Sequence, residues 1–299
     1  MNTPRLLRSM LFVPANNFKF IESAKEKRAD MVILDLEDSV PTQEKQKARL
    51  LIKDAARLLK QTGKNVAVRI NGLTTGLAAD DLKFAICEGI DAIMLPKTES
   101  KKDIVKLERL MQNGSKGQIK IGVIPLVESA KGILNVNEIV LAGKRIVAIG
   151  FGAADYLRDL GRSYFTISTN EIELLYPRSR LALAARVADV LAIDTPFLGD
   201  LNDLRGLIRE SRIALSLGFR GKMCIHPSHI EPINQVFSPS EKEVKMAKKI
   251  IKAYEQAKAK GMGAYSFEGR MIDEATYKMA KETLAINETI AKMSDSKAK

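Results

Sequence analysis

The 299-residue chain contains no tryptophan, two cysteines and two histidines, and each shortage closes off a class of function. Cys87 falls in a helical stretch and Cys224 in a strand-like one, so there is neither a disulfide framework nor a paired-cysteine metal site, and a reducing cytoplasm fits. With no third imidazole beside His226 and His229, a histidine metal centre lacks its ligands; His226 is expected to be a hydrogen-bonded residue at a strand end. No apolar run approaches the roughly 20 residues of a membrane span, so no membrane partner is expected. The opening MNTPRLLRSMLFVPANN has a basic start and an apolar segment, but Pro14 cuts that segment short and it reads as a first strand rather than a leader. No stretch interleaves basic residues with stacking aromatics, which argues against nucleic-acid binding.

What is present is a globular composition, with 45% hydrophobic and 28% charged residues and an aliphatic core. The formal charge of +12 creates a field that attracts anions, including polyanionic metabolites. Much of the excess lysine lies between Glu241 and Gly261 and in the tail SDSKAK, where it reads as a solvated face.

Apolar, β-branched runs recur along the chain, and most end in a charged residue. SMLFVP ends at Pro14, MVILDLED carries Asp35, Glu37 and Asp38, VAVRING carries Arg69, and AIMLPK ends in Lys97. IGVIPLVES carries Glu128, RIVAIGFGAAD ends in Asp155, VLAIDTP carries Asp194 and MCIHP carries His226. Segments of helical period separate the runs: 18–27, 43–61, 75–88, 101–112, 130–142, 178–188 and 201–217. Gly63, Gly89, Gly143 and Gly218 precede strands, as helix caps or turns would. The alternation predicts an α/β fold, a (β/α)8 TIM barrel over residues 1–235, with side chains at the C-terminal strand ends converging on one rim. The strand-end charges are therefore expected to share one pocket, and the long stretch from Ala153 to Arg178 is expected to be a loop that covers a ligand. After His226, three prolines break the pattern, and residues 236–299 read as a C-terminal helical extension that packs on a neighbouring subunit.

Glu128 and Asp155 end adjacent strands. Two carboxylates so close call for a cation, and hard oxygen donors without thiolate or imidazole select Mg²⁺, with Mn²⁺ as the substitute. Salt bridges from that pair to Arg69 or Lys97 are the competing reading. Arg69 offers a planar fork to a carboxylate or enolate oxygen, unless its role is structural. Asp35 and Glu37 face one side of their strand, where one of them orients Arg69 or a metal-bound water; Asp38 faces the other side and is a candidate cap for the helix beyond Pro41. GFGAAD lacks the full dinucleotide glycine pattern and reads as a place where substrate approaches the backbone.

RSMLFVPANN (8–17), VILDLEDSVP (32–41), VRIN (68–71), LPKTES (95–100), PLVES (125–129), IGFGAADY (149–156) and GRMID (269–273) together resemble the citrate lyase β-subunit-like CoA ester lyases, within the broader HpcH/HpaI aldolases. The resemblance runs in order over nearly the whole chain. It implies a Mg²⁺-dependent lyase, working as a homo-oligomer (a trimer or hexamer), that cleaves a β-hydroxyacyl thioester. Glu128 and Asp155 match the metal ligands, Arg69 the substrate arginine, and Asp273 an acid/base residue reaching the pocket from an adjacent subunit. Glu37 and Lys97 are placed with Arg69 among the substrate-binding residues, and Lys19 and Lys25 as phosphate contacts to a polyanionic carrier. CIHPSHI (224–230) looks more like the members that use CoA thioesters such as malyl-CoA or citramalyl-CoA. A citrate lyase β subunit acting on a citryl acyl carrier protein is the first alternative. A pyruvate-type class II aldolase, which would favour a His base, is a second, and a non-catalytic basic barrel binding nucleic acid or a protein partner is a third.

Overall fold

A computed structural model describes residues 6–113, 120–259, 265–267 and 269–295. The described chain divides into two compact units, one of Leu7–Phe237 and one of the residues from Ser238 onward.

The first unit alternates strand and helix: β1 (Ser9–Pro14), α1 (Phe18–Lys25), β2 (Met31–Asp35), α2 (Lys45–Lys60), β3 (Asn65–Arg69), α3 (Ala78–Ala85), β4 (Ala92–Leu95), α4 (Lys101–Asn113), β5 (Gly122–Val127), α5 (Ala130–Leu134), α6 (Val136–Val140), β6 (Ala148–Phe151), α7 (Ala153–Asp159), α8 (Ile172–Val187), β7 (Leu191–Asp194), α9 (Leu204–Leu217), β8 (Gly221–Cys224) and α10 (Ile230–Val236). The eight strands are parallel and close into a barrel, β8 returning to β1 through Ser9–Lys222, Met10–Met223 and Leu11–Cys224. The expected TIM barrel is the observed fold. Closure leaves no sheet edge open in this unit.

Successive residues of a strand face opposite ways, and the core accordingly has two parts. Met10, Met31, Ile33, Ala67, Ala92, Met94, Ile124, Leu126, Ala148, Ile193 and Met223 fill the barrel interior. A larger shell, with Val32, Leu34, Val66, Val68, Val123 and Ile149 on the strands and Ile52, Leu59, Leu107, Leu181 and Leu207 on the helices, joins barrel to helix ring. Gly221 is forced by closeness: a Cβ there would stand 1.8 Å from the Leu7 carbonyl oxygen.

The segment expected as a loop, Ala153 to Arg178, is largely helical. It holds α7, a 3₁₀ turn at Tyr164–Thr166 and the first turns of α8. Pro177 sits within α8, whose N-cap Glu171 falls at the helix start that Asn170-Glu171 marks in the sequence. Gly63, Gly89 and Gly218 take positive φ as expected of caps, whereas Gly143 does not.

The second unit is a helical hairpin of α11 (Glu241–Ala259) and α12 (Glu274–Asp295), joined through an antiparallel pair, β9 (Tyr265–Phe267) and β10 (Arg270–Ile272). Tyr254 stacks on Tyr277 at 4.5 Å, and the Tyr277 hydroxyl donates to Glu255 at 3.0 Å. No helix among the described residues is long and apolar enough to cross a membrane.

Candidate active site

The pocket follows from strand parity. In β2 the interior positions Met31 and Ile33 are followed by Asp35, in β3 Ala67 by Arg69, and beyond β5 Ile124 and Leu126 by Glu128. Register sets Asp35 beside Arg69 across the β2–β3 pair. Arg69 Nε and one terminal nitrogen donate to the two Asp35 oxygens, each at 2.7 Å, a bidentate pair. Asp35 also accepts from the Glu37 N–H at 2.9 Å, the Ser39 N–H at 3.1 Å and the Ser39 hydroxyl at 2.5 Å. Burial works to raise the Asp35 carboxyl, but the hydrogen bond and charge of Arg69, with Ser39 and the Glu37 N–H, outweigh it and hold the group below its ordinary value. The Phe12 ring lies 4.7 Å from the guanidinium carbon, which fixes the plane of Arg69 from a second direction.

Lys97 joins two of the carboxylates. Its φ of 51° is left-handed, a costly conformation for a side chain of this size. From it the Lys97 N–H donates to Glu128 Oε2 at 2.8 Å while Nζ donates to Glu37 Oε1 at 2.7 Å. The other Glu37 oxygen is 3.2 Å from Arg69 but too poorly aligned to accept a hydrogen bond, and so stays buried without a donor. Burial raises the Glu37 carboxyl despite the opposing Arg69 and Lys97 charges. Glu128 is pushed up to about 8, first by burial and then by the charge of Glu37, with the Lys97 N–H opposing and Asp155 adding to the rise. Gly152 makes room for it, since a Cβ there would lie 2.6 Å from Glu128 Cγ and Oε1. GFGAAD thus opens the backbone to a carboxylate side chain.

Asp155 stands in the first turn of α7 and pairs with Arg158 at 2.8 Å. Neither metal candidate forms a side-chain salt bridge to Arg69 or Lys97; Glu128 meets Lys97 through the backbone N–H instead. Asp38 caps no helix: it lies 3.8 Å from Arg69 and 3.9 Å from Lys97, and the turn after Pro41 has no side-chain cap.

Five carboxylates (Asp35, Glu37, Asp38, Glu128, Asp155) meet four cations (Arg69, Lys97, Arg158 and Lys45, whose charge acts on Asp35, Glu37 and Asp38) here, leaving one negative charge uncompensated when all are ionised. A bound cation is the charge that offsets this surplus, and all the available donors are hard oxygens. Among the described residues no three His, Cys, Asp or Glu side chains enclose an ion unaided. A two-carboxylate site of this kind leaves its remaining positions to substrate and water, so the residues present fit a Mg²⁺ ion.

Several supports carried no signal in the sequence pattern. Lys45 donates to the Leu36 and Glu37 carbonyls at 2.7 and 2.9 Å, bracing the turn that carries Glu37. Buried Asp81 accepts from Asn71 N–H and Nδ2, each at 2.7 Å, and from Arg49 at 2.8 Å, while Asn71 donates to the Leu36 carbonyl at 3.0 Å. These bonds pin the ends of β2 and β3 to α2 and α3.

Asp194 does not share the rim pocket, nor does its neighbour Lys222, because both take the outward parity and sit between barrel and helices. Arg178 donates to Asp194 at 2.9 and 3.1 Å and to Glu210 at 3.2 Å, Lys222 donates to Asp194 at 2.7 Å, and buried bonds join Arg178 to Glu171 and Lys222 to Glu210. His226 is exposed and bonds to Ser228 at 2.7 Å. Lys19 lies in the first turn of α1 and Lys25 in the last, about 9 Å apart along the axis. Asp273, in the second unit, accepts from the Thr276 N–H at 2.9 Å and hydroxyl at 2.8 Å, which holds its carboxyl below the ordinary value and caps α12.

Comparison with known proteins assigns this geometry to a lineage. The family model described as HpcH/HpaI aldolase/citrate lyase matches residues 8–227. The chain is 38% identical to the citrate lyase subunit beta of Leuconostoc mesenteroides subsp. cremoris, covering 96% of this chain and 95% of that protein. It is 34% identical to the L-malyl-CoA/beta-methylmalyl-CoA lyase of Cereibacter sphaeroides, with 92% of each chain covered. The crystal structure of the CitE protein of Mycobacterium tuberculosis in complex with magnesium, acetoacetate and coenzyme A matches with a TM-score of 0.71 at 32% identity, covering 92% of this chain and 96% of that one.

Proposed function

The chain belongs to the HpcH/HpaI aldolase/citrate lyase family as a carbon–carbon lyase, and from that premise we propose that it cleaves a β-hydroxyacyl thioester of the malyl-CoA or citramalyl-CoA type to acetyl-CoA and a 2-oxo acid. The observation that carries the reading is the excess of negative charge around Glu128, a carboxyl pushed up to about 8 between Glu37 and Asp155. Glu128 and Asp155 would hold Mg²⁺, which supplies chelation of the substrate's hydroxyl and carboxylate oxygens.

The residues divide the remaining work. Glu37, whose Oε2 lacks a donor, takes the β-hydroxyl proton. As that oxygen becomes a carbonyl, the bond between the α and β carbons breaks and its electron pair passes into the thioester enolate. Arg69, held flat by Asp35 and Phe12, turns its free N–H groups toward the developing enolate oxygen. Lys97 holds Glu37 and Glu128 in place and offers its ammonium to the substrate carboxylate. Asp273 of a neighbouring subunit in a homo-oligomer delivers the proton to the enolate carbon, and Lys19 and Lys25 meet the phosphates of the carrier.

A second reading has one observation in its favour: the 38% identity to a citrate lyase subunit beta exceeds the 34% to a malyl-CoA lyase. On that reading the substrate is a citryl thioester of an acyl carrier protein. Incubation with Mg²⁺ and malyl-CoA, citramalyl-CoA, citryl-CoA or citryl carrier protein, followed by assay of glyoxylate, pyruvate or oxaloacetate, separates the two. Turnover of the carrier-protein thioester alone overturns the CoA assignment, and turnover of none overturns both. The shared site is tested by mixing inactive Asp273→Asn and Glu128→Gln chains: activity returns if some interfaces pair an intact rim with an intact Asp273. Mixed oligomers without activity remove Asp273 from the neighbour's site.

A further inference from the structure

The arginines of α9 stand without partners. On the two helices before it every arginine is engaged: Arg158 of α7 pairs with Asp155 at 2.8 Å, and on α8 Arg178 lies in the buried ion network, Arg180 donates to the Leu134 carbonyl at 3.2 Å and Arg186 is 3.8 Å from Asp189. Helix α9 carries Arg205, Arg209 and Arg212, all exposed, and none of them meets a carboxylate or carbonyl oxygen of the described residues. The acidic side chains of this stretch are committed elsewhere. Asp203 caps the helix through the Gly206 N–H at 2.9 Å, and Glu210 turns inward to Arg178 at 3.2 Å and to Lys222.

At about 100° per residue these three arginines fall within about 60° of the helix circumference, and Arg205 and Arg212 stand about 10 Å apart along the axis with Arg209 between them. Like charges at this spacing repel one another and weaken a helix. The three border a groove of about 580 Å³, a volume within the range of small-molecule sites, whose remaining lining is Ile208, Ile213 and Ser216. Both isoleucines are half-buried, and the Ser216 hydroxyl donates back to the Ile213 carbonyl at 2.7 Å. The guanidinium groups are therefore the donors that this groove offers to a ligand.

We propose that the groove along α9 is a binding site for a small polyphosphate anion. Each guanidinium presents a planar fork that can hold two oxygens of one phosphate group, so three of them in line match a short chain of phosphates better than a single compact charge. Residue type points the same way. The exposed basic face of α11 is built from lysine, at Lys242, Lys245, Lys248 and Lys252, whose strongly hydrated point charges suit a solvated surface, whereas α9 uses arginine alone. Ile208 and Ile213 give the groove apolar walls, which lower the local dielectric and strengthen charge-assisted hydrogen bonds. The field of a chain of formal charge +12 draws such an anion toward it. None of the lining residues is assigned above to metal, thioester or carrier, so the inference stands apart from the proposed lyase reaction and its test does not use activity.

Calorimetric titration of the full chain with inorganic triphosphate, in chelator so that no metal bridges the two, should find saturable binding that weakens as salt rises. The triple variant Arg205→Ala/Arg209→Ala/Arg212→Ala should weaken that binding by at least about tenfold, with circular dichroism spectrum and urea midpoint kept, because the three side chains make no polar contact within the fold. Hydrogen exchange of the unaltered chain provides the check that needs no substitution: triphosphate should slow exchange across residues 204–217 and leave α3 unchanged. Citrate and a hexaglutamate peptide, which offer carboxylates in place of phosphates, should bind more weakly by about tenfold or more. Absence of triphosphate binding, an unchanged affinity in the triple variant, protection that maps to the rim and not to α9, or carboxylates bound as tightly as triphosphate would each overturn the proposal.

Discussion

Two clusters of acidic and basic side chains lie within one barrel, built from the same residue types and opposite in consequence. The rim cluster of Asp35, Glu37, Arg69, Lys97 and Glu128 stands where strands β2 to β5 end, and it leaves one Glu37 oxygen without a donor and a Glu128 carboxyl pushed up to about 8. The inner cluster of Glu171, Arg178, Asp194, Glu210 and Lys222 is sealed between β7, β8 and the helices, with Arg178, Asp194 and Lys222 fully buried. It has three carboxylates to two cations, and burial raises the Glu210 carboxyl, against the charges of Lys222 and Arg178. The sealed cluster can settle its surplus with a proton on Glu210. The open one can settle its surplus with a bound cation. What separates a structural ion network from a chemical one here is which way the strand residue faces.

The largest expected effect comes from breaking the sealed cluster. Arg178→Ala leaves Asp194, Glu210 and Glu171 with Lys222 alone, and loss of one partner of a buried ion pair costs about 3–5 kcal/mol. Urea unfolding should show that loss. A variant as stable as wild type would mean that the network contributes no net stability. At the rim, Glu128→Gln should do the reverse, keeping or raising the unfolding midpoint in chelator because the amide removes a costly buried acid, while metal-dependent turnover falls by on the order of 10²–10³-fold or more. Full activity in excess chelator would remove the metal from the mechanism.

Arg69→Lys comes next. An ammonium keeps the charge but cannot satisfy both Asp35 oxygens and still face the substrate, so kcat/KM should drop by about 10²-fold with little change in KM. Near-normal kinetics would reduce Arg69 to a brace for β2 and β3.

The contrast between the clusters also marks where the sequence could be read and where it could not. The barrel was legible because turns, helical periods and apolar runs alternate. Glu128 and Arg69 stood out as charges closing apolar strands, and their motifs carried the family resemblance. Asp194 closes its strand in the same way, yet it faces the helices. Strands buried on both sides have no polar–apolar alternation from which facing could be inferred, so LAID gives no sign of its direction. Lys45, Asn71 and Asp81 act through contacts 8 to 35 residues apart in sequence, which spacing alone does not reveal. The left-handed backbone at Lys97 has no local marker either, since the residue is not glycine, asparagine or aspartate.

The smallest expected effect is the most specific to the open cluster, and it is a pH dependence. Glu128 has an ordinary value of 4.5 and a folded value of about 8, so the folded, metal-free chain holds this proton more tightly than the unfolded chain does. The sign follows from linkage: this group favours folding most below pH 4.5, and its contribution declines as pH rises from 4.5 to 8. Binding a cation demands the ionised carboxylate, so in that window Mg²⁺ must displace a proton. Apparent Mg²⁺ affinity, measured by calorimetry without substrate, should therefore rise by up to about tenfold per pH unit between pH 6 and 8, level off above 8, and release protons that scale with buffer ionisation enthalpy. Glu128→Gln should abolish both the slope and the proton release, whereas a Glu210→Gln change in the sealed cluster should leave them intact. A flat profile in the wild-type chain would show that Glu128 is already ionised at neutral pH, its charge settled by Arg69 and Lys97 without any metal.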